Sequence, residues 1–149
     1  MNVNGKNYCH GAGGSILIER NAIRGSDFDW GIVFRHFGAN PEDPTYPFDG
    51  TIVNNLVVGQ NGNTGAPAGI VLSADGYNAL LRGTVANNTV ASGRIGMLVS
   101  ARTDLGANIE ATIANNIVAL NSEYDISIDS ALSQVSNDHN LVSSNAYGY

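Results

Sequence analysis

Asp27, Asp29, Arg35 and His36 stand close together in the first third of the chain and are residue types that acid–base chemistry uses. Removing the proton beside a uronate carboxylate needs a base and a neutralising cation. Arg35 or His36 suits the first role, and Ca²⁺ held by Asp27, Asp29 and Asp43 suits the second. Glycoside hydrolysis needs two spaced carboxyl groups, for which Asp27, Asp29 and Asp75 are available. Binding a sugar without reacting needs flat rings and polar tips. Trp30, Phe37 and Tyr46 offer the rings, and Ser73, Asp75, Ser100, Arg102 and Asp129 offer groups that bond hydroxyls. Each has a plainer counterpart. Phe37, Pro41, Pro44, Tyr46 and Phe48 pack a long loop, and Asp75, Arg102 and Asp104 form surface ion pairs. His139 is exposed scaffold, the register of residues 1–14 and hence of His10 is open, and no spacing gathers a zinc ligand set.

The elements that must position these groups are written in a repeated phrase. ILIERNAI, TIVNNLVV, TVANNTVA, TIANNIVA and VSNDHNLV each hold an asparagine between two short β-branched runs: Asn21, Asn55, Asn88, Asn116 and Asn140. The spacing shortens from 34 residues (21 to 55) through 33 and 28 to 24 (116 to 140). Strands of fixed length joined by loops of varying length give such drift, whereas helical repeats keep a constant period. Asparagine accepts the left-handed backbone of a tight corner more readily than most residues, so these five are expected at that corner, stacked in a hydrogen-bonded ladder.

A second phrase precedes each corner: GIVFRHF, AGIVLSADG, IGMLVSART and YDISIDSAL. Aligned, they place Ile32, Ile70, Met97 and Ile126 in one column and Phe34, Leu72, Val99 and Ile128 in another. The two columns lie two residues apart and share one side of a strand. Val33, Val71 and Leu98 face the other way as an apolar stripe, beside the polar column Arg35, Ser73, Ser100 and Asp129. Period 2 holds throughout, and no stretch has the pattern of an amphipathic helix.

Bulk properties narrow the partners. The 149 residues are 43% hydrophobic and 13% charged, enough to bury the core of a single domain spanning 1–149. A net charge of −6 argues against nucleic acid or an anionic membrane as partner. Cys9 is alone, which rules out an intrachain disulfide, and no segment has the length of an apolar membrane span. No signal peptide is visible after Met1. The chain is therefore expected to be intracellular, or extracellular as a piece of a longer secreted protein.

These phrases, in this order, resemble the right-handed parallel β-helix of the pectate-lyase-like superfamily, from about Gly14 to Val142. The resemblance implies an all-β, single-stranded solenoid of about five coils, three sheets per coil, and a binding groove on the outer face of the first sheet. That sheet would carry the GIVF, GIVL, MLVS and ISID phrases. The superfamily spans lyases, hydrolases, epimerases, phage tailspikes and non-catalytic repeat domains, and the NTD, adjacent DD, RIK and DPH site motifs are missing from this sequence. Met1–Gly14 has no capping helix and SSNAYGY is short, so the ends are expected to be poorly capped, covered by a homo-oligomer partner or by the rest of a larger chain. The expectation is a non-catalytic domain recognising a carbohydrate or a protein through its first sheet. The alternative is a polysaccharide lyase or glycoside hydrolase acting on an acidic polysaccharide.

Overall fold

The computed structural model describes residues 14–25, 29–38, 46–62 and 65–143. The chain winds in laps of three strands. The first lap is β1 (Gly14–Glu19), β2 (Ala22–Arg24) and β3 (Trp30–His36). The second is β4 (Pro47–Val53), β5 (Leu56–Val58) and β6 (Ala68–Ala74), and the third is β7 (Leu80–Ala86), β8 (Thr89–Ala91) and β9 (Ile95–Ala101). The fourth is β10 (Asn108–Ala114), β11 (Ile117–Ala119) and β12 (Tyr124–Ile128), and β13 (Val135–Asp138) and β14 (Leu141–Ser143) begin a fifth.

Each strand pairs in parallel with its counterpart one lap away, giving three sheets. Sheet A runs β1-β4-β7-β10-β13, sheet B runs β14-β11-β8-β5-β2, and sheet C runs β12-β9-β6-β3. This is an all-β, right-handed parallel β-helix, the hand that crossovers between parallel strands almost always take. Among the described residues, the strands of the first and last laps pair on one side only, and residues 1–13 and 144–149, on which the expected poor capping turns, lie outside the described residues.

The core is built from columns. In sheet C, Ile32, Ile70, Met97 and Ile126 stand in register, as do Phe34, Leu72, Val99 and Ile128. Sheet A faces them with Phe48, Leu81 and Ile109, and with Ile18, Ile52, Val85 and Ile113. Sheet B closes the triangle with Ile23, Val57, Val90, Val118 and Val142. Most of these are fully buried in the middle laps, and each such side chain contributes about 1.5–3 kcal/mol. Between these columns sheet A carries a small-residue column, Gly50, Gly83 and Ala111. A methyl group on Gly50 would collide with the Phe34 ring, so the backbone of sheet A lies closer to sheet C here than any other residue allows.

The corner between sheets A and B corrects one expectation. The residues in left-handed backbone are Arg20, Asn54, Asn87, Asn115 and His139, with φ of 56°, 58°, 56°, 57° and 52°. Each stands one position before the asparagine expected there. The following asparagines turn inward instead, and Asn55, Asn88 and Asn116 are buried. Each donates its Nδ2 to the Oδ1 of the next, from Asn21 through Asn55 (3.0 Å), Asn88 (3.0 Å) and Asn116 (3.0 Å) to Asn140 (2.8 Å). The strained corner thus selects for backbone tolerance, and the position after it selects for an amide.

Candidate functional site

Alternation along β3 decides which of its groups reach the outer face of sheet C. Arg35 points out and His36 points in, because neighbouring side chains on a strand face opposite sides. His36 is therefore buried inside the coil and not beside Arg35 on the outer face, as a candidate base there would need to be. Its Nδ1 lies 3.1 Å from the Leu80 carbonyl oxygen, an acceptor, which puts the proton on Nδ1. Its ring centre is 5.9 Å from that of Phe48. Burial lowers its pKa below the ordinary 6.5, partly opposed by the bond to Leu80.

Arg35 is held from several directions. Its Nε is 2.6 Å from Asp75 Oδ2, and its guanidinium lies 5.7 Å from the centre of the Trp30 ring and 5.3 Å from that of Phe37. Ser73 Oγ donates to the other Asp75 oxygen at 2.7 Å, and Trp30 Nε1 donates to the Ala66 carbonyl at 3.1 Å. Trp30, Val33, Ala66, Ala68, Val71, Ile95 and Leu98 form an apolar cluster of their own on this outer face. Beneath them β6 is buried along its whole length, with Ser73 only 2% exposed. The structure thus brings Trp30, Arg35, Phe37, Ser73 and Asp75 together, but as a closed seam over the first two laps. Asp75 pairs with Arg35 across the laps, and the carboxylate is shared with Ser73, so it does not stand free beside a second carboxyl group.

The face is more open farther along. Leu98 and Ser100 are half-buried, and Tyr124 is 47% exposed. Asp129 lies just past the end of β12, where its carboxylate accepts the Ala131 N–H at 3.0 Å. Arg102 is exposed and paired with Asp104 through two bonds of 2.9 and 2.8 Å. That pairing pulls the Asp104 carboxyl below its usual range and raises the guanidinium. Tyr46 precedes β4 at the entry to sheet A and is 45% exposed. Asp29 backs onto Gly62, and its carbonyl accepts the Ala68 N–H at 2.7 Å. Asp27 and Asp43 lie outside the described residues, and with them the Ca²⁺ site drawn through Asp27, Asp29 and Asp43. No group of three or more His, Cys, Asp or Glu that could hold a metal occurs among the described residues.

A second concave surface, of about 440 Å³, lies on the outer face of sheet A, lined by Asp49, Thr51, Arg82, Thr84, Glu110 and Thr112 among others. The signal for it was in the sequence: the corner phrase opens on threonine in three successive laps, at a position that strand alternation turns outward.

No curated protein and no solved structure matches the chain. Residues 6–145 match the family described as Protein of unknown function (DUF1565), a right-handed β-helix family, and the chain belongs to it.

Proposed function

We propose that this chain is a non-catalytic β-helix domain of the pectate-lyase-like kind, which recognises a carbohydrate or protein partner through the outer face of sheet C. The observation that carries this reading is the engagement of Arg35. A group already paired with Asp75 and set against two aromatic rings is poorly placed to accept a proton. The open part of the face mixes an apolar side chain, hydroxyls and a ring, in Leu98, Ser100, Ser127 and Tyr124, which suits the alternating apolar and polar faces of a sugar. Partners laid end to end on the exposed strand edges, either a second copy or further coils of a larger chain, fit the same scaffold.

An array of immobilised glycans, read with the wild type and with Ser100→Tyr, tests the reading. Retention of a glycan that Ser100→Tyr loses supports it. Retention that Ser100→Tyr leaves intact moves the site off this face, and silence across the array leaves a protein partner as the ligand. The rival reading is a lyase or hydrolase acting on an acidic polysaccharide around Asp27, Asp29, Arg35 and His36. The inward turn of His36 weighs against it.

A further inference from the structure

The outer face of sheet A repeats one polar pattern in the laps after the first, where Leu17 stands in the hydroxyl column instead. Thr51, Thr84, Thr112 and Ser136 stand in register on β4, β7, β10 and β13, one hydroxyl per coil, at the ordinary interstrand step of about 4.8 Å. A second column runs beside them: Asp49, Arg82 and Glu110, also in register. Gln134 and Ser136 complete the lining at the last coil. The inward column between the two outward ones is Gly50, Gly83 and Ala111. The concave surface of about 440 Å³ lies outside these positions, with Gly50, Gly83 and Ala111 in its floor. The hydroxyls of Thr51 and Thr84 have no protein partner among the described residues, whereas Ser136 Oγ reaches Thr112 Oγ1 at 3.3 Å.

The geometry points to a second binding site here: a trough for a linear, uncharged glycan lying along the helix axis, one sugar ring per coil. Three properties of the trough select that ligand. Its donors and acceptors recur at a single short interval, and in a pyranose chain linked through equatorial bonds each ring is turned over relative to the last but carries hydroxyls along both edges, so every ring offers one to the trough. An extended peptide on the same line presents same-face groups only about every 6.6 Å, two residues at 3.3 Å, and falls out of step. The charged column carries two carboxylates and one guanidinium, with Arg82 Nε bonded to Glu110 Oε2 at 2.9 Å, so its balance is anionic. That balance repels nucleic acid and acidic glycans, and leaves carboxylates and hydroxyls to bond neutral sugar hydroxyls. The site is distinct from the face of sheet C and stands without it.

Titration calorimetry of the full chain with β-1,4-glucan oligosaccharides of one to six rings tests this, with oligogalacturonate of matched length as the acidic comparison. Affinity is expected to rise with each ring up to four, for Thr51, Thr84, Thr112 and Ser136, and then level off. Thr84→Val and Thr112→Val keep the β-branched shape and remove one hydroxyl each. Each is expected to weaken binding about fivefold, the worth of one neutral hydrogen bond. An unchanged denaturation midpoint shows that the variant is folded, and Thr51→Val replaces any variant that is not. Leu120→Asn, at the exposed corner after β11 and on neither face, is expected to leave binding unchanged, while Ser100→Tyr reports whether the glycan lies on sheet C instead. Absence of binding at every length, tighter binding of oligogalacturonate, or full affinity in the threonine variants would overturn the inference. Loss of binding in Ser100→Tyr alone would overturn it too, while leaving the reading of sheet C intact.

Discussion

Asn88 Oδ1 accepts two bonds from Asn55, one from its side-chain Nδ2 at 3.0 Å and one from its backbone N–H at 2.9 Å. Asn88 Nδ2 in turn donates to Asn116 Oδ1, to the Ile52 carbonyl and to the Ala86 carbonyl. One amide therefore satisfies groups in three consecutive laps, inside a corner that water does not reach. Asn88→Ala strands those groups and is expected to cost about 3 kcal/mol, against about 1 kcal/mol for Asn21→Ala at the partly exposed end of the row. Urea unfolding of the two variants measures both.

The corner also shows what was legible in the sequence and what was not. The aliphatic columns of sheet C could be read directly, because period 2 and the repeated phrase fix Ile32, Ile70, Met97 and Ile126 on one side. The paired asparagines could not be told apart, since either residue type tolerates left-handed backbone. The first and last laps separate the two roles: Arg20 and His139 occupy the strained position, so it does not require asparagine, while Asn21 and Asn140 keep the bonded one. His36 was grouped with Arg35 as a candidate base from their adjacency in sequence, whereas β3 runs through both and alternation turns His36 inward. The seam over Ser73 was invisible for another reason: Trp30, Arg35 and Asp75 meet only after two laps are stacked.

The buried imidazole sets a pH dependence. Burial holds the folded pKa of His36 below 6.5, so the unfolded chain takes up this proton first as pH falls. Stability from His36 is complete above pH 6.5 and declines as pH drops toward the folded value. His36→Leu is expected to flatten the dependence of the urea midpoint between pH 7.5 and 5 (about one ordinary His titration). An unchanged slope would show that His36 does not titrate differently on folding.

Leu120 holds left-handed backbone at φ 59° with its side chain 64% exposed. It carries the steric cost of that conformation and recovers little by burial. Leu120→Asn keeps the Leu120 N–H bond to the Ser143 carbonyl and is expected to raise stability by up to about 1 kcal/mol. Thermal unfolding reads the gain as a higher Tm.

Gly50 lies over the Phe34 ring, which is itself 4.8 Å from the Phe48 ring and cannot withdraw. Gly50→Ala is expected to destabilise by about 2 kcal/mol through overpacking. Phe34→Leu made in the same chain restores part of that loss, because it empties the space the new methyl needs. A double-mutant cycle by denaturant unfolding gives the coupling, and strictly additive losses would contradict the close approach of sheets A and C.

The central claim is that this β-helix binds and does not react. Absorbance of unsaturated uronate products and release of reducing ends, followed across neutral and acidic polysaccharides with and without Ca²⁺, test it most directly. The account predicts no product from any substrate at any Ca²⁺ level. Product that forms with the wild type and disappears in Arg35→Ala, with the fold retained, would contradict it.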